Sequence, residues 1–385
     1  MALTKRGAKE KRMRRHATRI GLIGCGNVAV KRHLPVLLSL PEAHVEALTD
    51  TDPLQLEHAR RKFNIQKTYG NYFDLLADSN IEAVAICVPL EFHYETALAA
   101  LDAGKHVLIE KPLVSIPQEA DQLIDRAVKT GKKVLVGFNK RWHHLVNQGR
   151  ETIRKGLLGP VSMINCTYTT GHTKDSLPEW RIRRKKGGGS LIENGVHLYD
   201  LWRFLLQKDI MEVFASSRSG EDCDDELCVV TARTSDGVLL NAVLSDLLPA
   251  RHDITILGRD CALNIFMDRF DGFELTPLGT CAGDIGNRLN NARFFLKRLP
   301  YAIRQACGEG QYNASFKAQW QHFIDCIQRD VQVGCTLEDG RYALKVTLAV
   351  LKSVEVGHFV KVNETPETIT TAAYDQGVGT EDLQT

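Results

Sequence analysis

The stretch that most constrains this chain is RIGLIGCGNVA, Arg19 to Ala29, in which a short apolar run ends in a glycine turn and a helical pattern follows. The turn reads G-x-G-x-x-A over Gly24, Cys25, Gly26, Asn27, Val28 and Ala29. Gly24 permits the tight turn, Gly26 lets backbone approach a pyrophosphate, and Ala29 lets the helix pack closely on the strand. Asp50 lies 24 residues after Gly26, at the end of the next apolar run, where a carboxylate accepts both ribose hydroxyls of an adenosine. A 2′-phosphate would meet that carboxylate and be repelled. The pattern therefore implies a dinucleotide site that favours NAD over NADP. Arg60 and Arg61, a helix further on, work against that preference.

Apolar runs and helical patterns then alternate. RIGLIG (19–24), HVEALTD, EAVAICVP (82–89), HVLIE (106–110) and KVLVGF (133–138) read as buried strands. Helices are expected over NVAVKRHLPVLLSL, from Pro53 through PLQLEHARRKF, over FHYETALAALDAG and over PQEADQLIDRAVKTG, the last two closed by Gly104 and Gly131. This alternation predicts an α/β Rossmann domain with a doubly wound parallel sheet over residues 19–141. From residue 142 to 365 the pattern becomes strands joined by short turns, with one helix from the Gly187–Gly189 turn to about Leu206 and two helical patterns at the end. A predominantly antiparallel open sheet in an α+β domain is expected there. Residues 275–310 read as a basic amphipathic helix interrupted at Pro300, packed on the domain or on a neighbouring subunit rather than on a membrane.

Hydrophobic residues make up 43% and charged residues 25% of the 385, and no apolar run reaches the roughly 20 residues that span a bilayer. The overall charge of +2 conceals a basic arm: residues 1–19 hold eight Lys and Arg against Glu10 alone, so the remainder is mildly acidic. Residues 1–18 are expected to be a disordered arm and 366–385 a flexible tail; a solvated extension is favoured over nucleic-acid contact. Arg14-Arg15 is followed by a strand and a glycine turn instead of an apolar signal region, so no export signal is read. Ten cysteines without a C-x-x-C pair fit a reducing cytoplasm and give no thiolate zinc site.

Two further groups carry chemistry. HVLIEKPL puts Glu110 and Lys111 at the carboxyl end of a parallel strand, the edge where wound sheets bind ligands, and Pro112 keeps Lys111 out of a helix. GGGSLIENGVHLYD places Glu193, His197 and Asp200 on one helical face. Glu and His at i, i+4 is also a metal-ligand spacing, but no other ligand motif accompanies it, so no metal is assigned. A secondary alcohol gives up a hydride only as its hydroxyl proton leaves. His197 supplies a base near neutrality, Lys111 a cation for the developing alkoxide, and Glu193 or Asp200 a group to fix the imidazole tautomer.

Gly24 to Ala29, CVPLEFHYETALAALDAGKHVLIEKPL (87–113), GFNKRW (137–142), EWR (179–181) and GGGSLIENGVHLYDL (187–201) together resemble the glucose-fructose oxidoreductase/inositol dehydrogenase (Gfo/Idh/MocA) family, in register from about residue 19 to 365. The resemblance implies NAD- or NADP-linked oxidation of a secondary hydroxyl of a sugar, sugar nucleotide or cyclitol, or the reverse reduction, with a homodimer or homotetramer built on the open sheet. It implies catalytic roles for Lys111 and His197. Pro89, Leu90, His93, Glu110, Asn139 and Arg141 would line the cofactor, as would Trp180 and Arg181. One position departs: the family usually has aspartate where this chain has Glu193, which puts that residue's role as substrate contact or histidine orienter in doubt.

The run Arg181, Arg183, Arg184, Lys185 and Lys186 suggests either a phosphate or sugar-acid contact or a solvated loop. Two other functions compete with a dehydrogenase: a redox-elimination glycosidase that uses NAD transiently, and an NAD-binding regulator, which Lys111 and His197 disfavour.

Overall fold

The computed structural model describes residues 16–184, 187–221, 223–306 and 310–364. Six strands form the first sheet: β1 (Thr18–Ile23), β2 (Ala43–Thr49), β3 (Thr68–Tyr69), β4 (Ala83–Ile86), β5 (His106–Ile109) and β6 (Val134–Val136). All pair in parallel in the order β3-β2-β1-β4-β5-β6. β4 and β6 are buried at every position, as helices on both faces require. The helices Pro53–Phe63, His93–Asp102 and Pro117–Thr130 stand where the periodicity places them. Asp52 caps the first through the Leu54 N–H, and Gly131 in the left-handed region closes the last. The two-residue β3 and the helices Tyr72–Ala77 and His144–Arg154 carry too short or too polar a pattern to have been read.

The second sheet has eight strands: β7 (Val161–Thr169), β8 (Ile210–Arg218), β9 (Leu227–Thr234), β10 (Leu239–Ser245), β11 (Arg251–Gly258), β12 (Cys261–Phe266), β13 (Phe273–Pro277) and β14 (Val360–Lys361). Their order is β13-β12-β11-β7-β10-β9-β8-β14, antiparallel throughout except for β7 with β10. β12 alternates buried and half-buried residues, the mark of a sheet packed on one face. That face holds Leu240, Ile254, Ile256 and Leu263 under Tyr199 and Trp202 of the helix Gly195–Leu206 and Val346 and Val350 of the helix Leu337–Val356.

Three features depart from the sequence reading. The closing helices, grouped with the second domain, also serve the first core: Phe316, Trp320 and Phe323 from Gly310–Arg329, with Leu344 and Leu348, pack among the β1–β6 residues. Helix Ile285–Ala306 runs through Pro300, since one missing N–H does not end a helix fifteen residues into its length. The helix expected from Gly189 to Leu206 is broken into Ser190–Glu193 and Gly195–Leu206. At the break, Asn194 Nδ2 is drawn to Ser190 Oγ and Asp246 Oδ1, both at 3.0 Å, and the Tyr199 hydroxyl fills the space a Cβ on residue 195 would need. The basic arm up to residue 15 and the tail from 365 lie outside the described residues. Among the described residues no helix is long and apolar enough to cross a membrane.

Candidate active site

The glycine turn closes β1 against β4. Gly24 has φ +91°, and a Cβ there would collide with the Cys87 carbonyl oxygen, so only glycine fits. Two residues on, the space a Cβ of Gly26 would enter is open, its nearest atom being Gln55 Oε1 at 3.9 Å. Ala29 is fully buried against the sheet, while Asn27 is exposed and Val28 half-buried at the mouth of the turn. Asp50 is held beside it: its carboxylate accepts from the Cys25 N–H at 2.6 Å and the Asp52 N–H at 2.8 Å. This glycine-floored cradle, with a fixed carboxylate at its rim, fits the pyrophosphate and ribose of a dinucleotide. Arg60 and Arg61 are both paired to Glu57, which takes up the cations that would otherwise welcome a 2′-phosphate.

Further along the same edge, Pro89 precedes the short turn Leu90–Phe92, and His93 begins the next helix. The buried His93 ring lies between Val88 O (3.0 Å) and Pro112 O (2.8 Å); burial holds its pKa below the ordinary value, and a neutral ring donates to one of the two. It ties the end of β4 to the Lys111-Pro112 peptide, which is cis. Glu110 accepts from the Lys111 N–H at 3.2 Å and from His33 Nε2 at 2.9 Å. Trp320 Nε1 donates to His33 Nδ1 at 3.0 Å, which fixes the imidazole proton on Nε2. Burial pushes the Glu110 carboxyl upward, but the His33 hydrogen bond and the nearby Lys111 charge outweigh it and leave it below the ordinary range.

Lys111 and Glu193 meet across the two domains: Nζ lies 2.8 Å from Glu193 Oε2 and 3.2 Å from Glu193 O. Glu193 therefore partners the lysine and does not orient His197. Asp200 does not orient it either, because it is buried in an ion pair with Arg141, whose Nε and Nη2 reach it at 2.7 and 2.5 Å. Arg141 Nη1 goes to Asp339 at 2.9 Å and to Gly334 O at 3.1 Å. Every guanidinium nitrogen is thus engaged within the protein, leaving none free for the cofactor-lining role expected of it, and Arg141 ties the turn Asn139–Trp142 to two helices of the second domain. Burial raises the Asp200 pKa to about 6 against the pull of Arg141.

His197 is 6% exposed, edge-on to Phe138, and its Nδ1 is buried without a hydrogen-bond partner. Burial first, then the charges of Lys140, Lys111 and Arg181, hold its pKa well below the ordinary value, so the free imidazole is neutral but a weaker base than the near-neutral one expected from the sequence. Asn139 is buried and donates to Ser315 Oγ at 3.0 Å. Trp180 is half exposed on the short helix Glu179–Ile182, and the Arg181 guanidinium points inward to Asp246 (3.2 Å) and toward Glu193 (3.8 Å). The neighbouring basic run is largely spoken for: Arg183 reaches Asp224 (3.5 Å) and Arg184 reaches Asp225 (2.6 Å), while Lys185 and Lys186 lie outside the described residues. Sequence reading missed Lys140, Asp246 and Asn194; Lys140 stood in the quoted GFNKRW, but nothing in the pattern separates a buried lysine from a surface one.

A parallel sheet with a dinucleotide cradle, joined at its carboxyl edge to a second domain bearing a buried histidine, defines a two-domain nucleotide-dependent oxidoreductase. The chain belongs to the Gfo/Idh/MocA oxidoreductases: residues 18–138 match that family's NAD-binding Rossmann fold and residues 150–362 its C-terminal alpha/beta domain. Relatives include myo-inositol 2-dehydrogenase of Thermotoga maritima, 26% identical over 90% of this chain and 99% of that protein. D-glucoside 3-dehydrogenase of Escherichia coli is 30% identical over 49% of this chain and 54% of that protein. A levoglucosan dehydrogenase solved with NADH and levoglucosan shares the fold, with TM-score 0.77 and 20% identity, over 91% of this chain and 100% of that one.

Proposed function

We propose that the protein oxidises a secondary hydroxyl of a sugar, sugar nucleotide or cyclitol, or reduces the corresponding ketone, by hydride transfer with NAD. The observation that carries the reading is the convergence of Lys111, from the cofactor domain's sheet edge, on Glu193, two residues before the buried helix that carries His197. NAD, when bound at the Gly24–Asn27 cradle with Asp50 on its ribose, supplies the hydride acceptor. His197 takes the hydroxyl proton as the carbinol C–H bond breaks, so that one alcohol yields one ketone, one hydride and one proton. Lys111 holds the substrate oxygen and stabilises its growing negative charge, and Glu193 keeps the ammonium aimed. Asp246 and Asn194 fix Arg181 at the wall of the cleft.

The preference for NAD rests on Asp50, whose two carboxylate oxygens are already oriented by backbone N–H groups. We place the enzyme in the cytoplasm, as a homo-oligomer acting on a small molecule. The test is NADH formation with a panel of inositols, sugars, sugar acids and sugar nucleotides. Stoichiometric NADH supports dehydrogenation, and turnover without net NADH identifies an elimination that uses NAD only transiently.

A further inference from the structure

Helix Ile285–Ala306 turns the wrong side to the protein. Ile285, Leu289, Ala292, Leu296 and Leu299 recur every three or four residues and so fall on one face. That face points to solvent: Ile285 is 78%, Leu296 63% and Leu289 55% exposed, with Ala292 and Leu299 exposed beside them. The side against the protein is polar. It carries the half-buried Asn291 and the buried Asn287, whose Nδ2 donates to Thr280 Oγ1 and to Cys281 O, both at 2.9 Å. Phe295, at the border of the stripe, meets Phe270 with ring centroids 5.2 Å apart. Sequence reading packed this helix on the domain or on a neighbouring subunit rather than on a membrane, but the domain holds it by its asparagines and leaves the apolar stripe open.

The charges on the helix say what fits that stripe. Between Ile285 and Ala306 stand Arg288, Arg293, Lys297, Arg298 and Arg304, with no Asp or Glu among them. Arg288 and Arg293 are exposed and, at about 100° per residue, lie on opposite flanks of the stripe. Taking the helix's +5 and the +7 of residues 1–19 from the chain's +2 leaves −10 on the remainder, so positive charge is gathered beside the exposed leucines and withdrawn from the body. The same helix of a second copy, laid on this one, would set cation against cation with no acid to answer either. An anionic lipid surface answers both features. Its headgroups pair with the arginines, whose stems snorkel past the stripe, and its acyl boundary takes up the apolar side chains. From Ile285 to Leu299 the stripe runs about 21 Å, long enough to lie along the surface.

We propose that this helix docks the enzyme on anionic lipid, lying in the plane of the surface with Ile285, Leu289, Leu296 and Leu299 in the acyl boundary and Arg288 and Arg293 among the headgroups. It rests on the bilayer and does not span it, in keeping with a helix too charged to cross. A single short stripe gives reversible attachment that salt weakens. Docking of this kind is independent of the chemistry at His197.

The test is flotation of the full chain with vesicles of phosphatidylcholine alone and of equal parts phosphatidylcholine and phosphatidylglycerol. Expected is a preference of at least roughly 10-fold for the anionic vesicles, falling as salt is raised. The double variant Leu289→Asp, Leu296→Asp should lose that binding, with Tm, NADH affinity and the mass by light scattering unchanged, because both side chains are more than half exposed. Arg288→Gln with Arg293→Gln leaves the stripe intact and should lose most of the preference for anionic over neutral vesicles. Absent binding, equal binding to both vesicles, or wild-type binding by the Leu289→Asp, Leu296→Asp variant would each overturn the proposal, the last by leaving attachment to the basic residues 1–19. A lowered mass in that variant would overturn it as well, since a second copy would then be what covers the stripe.

Discussion

Glu193 is the residue where this chain departs from its family's usual aspartate, and the structure gives the departure a measurable consequence. The Glu193 carboxylate reaches Lys111 Nζ at 2.8 Å, with the two side chains 9% and 15% exposed. Glu193→Asp withdraws the carboxylate by one C–C bond, about 1.5 Å, leaving the ammonium roughly 4 Å away and held by the Glu193 carbonyl oxygen alone. A charge-assisted hydrogen bond of this kind contributes about 1.5–3 kcal/mol. If that energy serves to hold Lys111 at the reacting oxygen, kcat/KM falls by roughly 10- to 100-fold. Steady-state kinetics with the best substrate of the panel, together with the affinity for NADH, separates the cases. The expected result is the loss in kcat with NADH affinity within about 2-fold of wild type. Glu193→Gln keeps the length and removes the charge, and should cost at least as much. Wild-type kcat/KM in Glu193→Asp would refute the reasoning, because the extra methylene would then carry no positioning role.

The other expectations are briefer. Arg141→Met strands Asp200 and Asp339 without their cation and should destabilise the fold by about 3–5 kcal/mol, read as a lowered Tm. The deficit should shrink at low pH. Asp200 has its folded pKa raised to about 6, and higher still without Arg141, and a carboxyl raised on folding adds stability as pH falls through that value. Melting at pH 5 and pH 7.5 checks the sign. Trp320→Phe removes the donor to His33 and should lower Tm by the few degrees that about 1 kcal/mol brings, while weakening NADH binding through Glu110 and Lys111; unchanged binding would show that the network is structural only. Asp50→Ala should weaken NAD binding roughly 10-fold and leave NADP less affected, measured by fluorescence titration. Charge reversal at Arg183 should leave KM unchanged if its Asp224 pairing is its whole role.

The sequence carried the architecture because local signals suffice for it. Gly24, Gly26, Asp50 and the strand and helix periods all lie within one βαβ unit, and their spacing admits few folds. It also singled out Lys111 and His197 as candidates, through their neighbours in the chain. What it did not carry is pairing at long range. Lys111 meets Glu193 across 82 positions, Trp320 meets His33 across 287, and Arg141 meets Asp339 across 198. Residue type and period cannot say which carboxylate a given cation will find. Glu193 and His197 looked like partners on one continuous helix, and the break at Asn194 and the competing Lys111 ammonium dissolved that pairing. Lys140 stayed hidden for the converse reason: beside Arg141 in GFNKRW it reads as one more surface charge, and only the packing of Tyr168 over it shows that it is buried.

The central claim, hydride transfer between NAD and a substrate hydroxyl with Lys111 holding the oxygen and His197 taking the proton, is tested most directly by one measurement. NADH formation is followed with the best substrate of the panel for the wild type, Lys111→Ala and His197→Ala, each first shown to bind NADH. The account predicts turnover in the wild type and a fall of at least 100-fold in kcat in both variants, with NADH affinity retained. Undiminished turnover in either variant, or the absence of NADH formation across the whole panel, would contradict it.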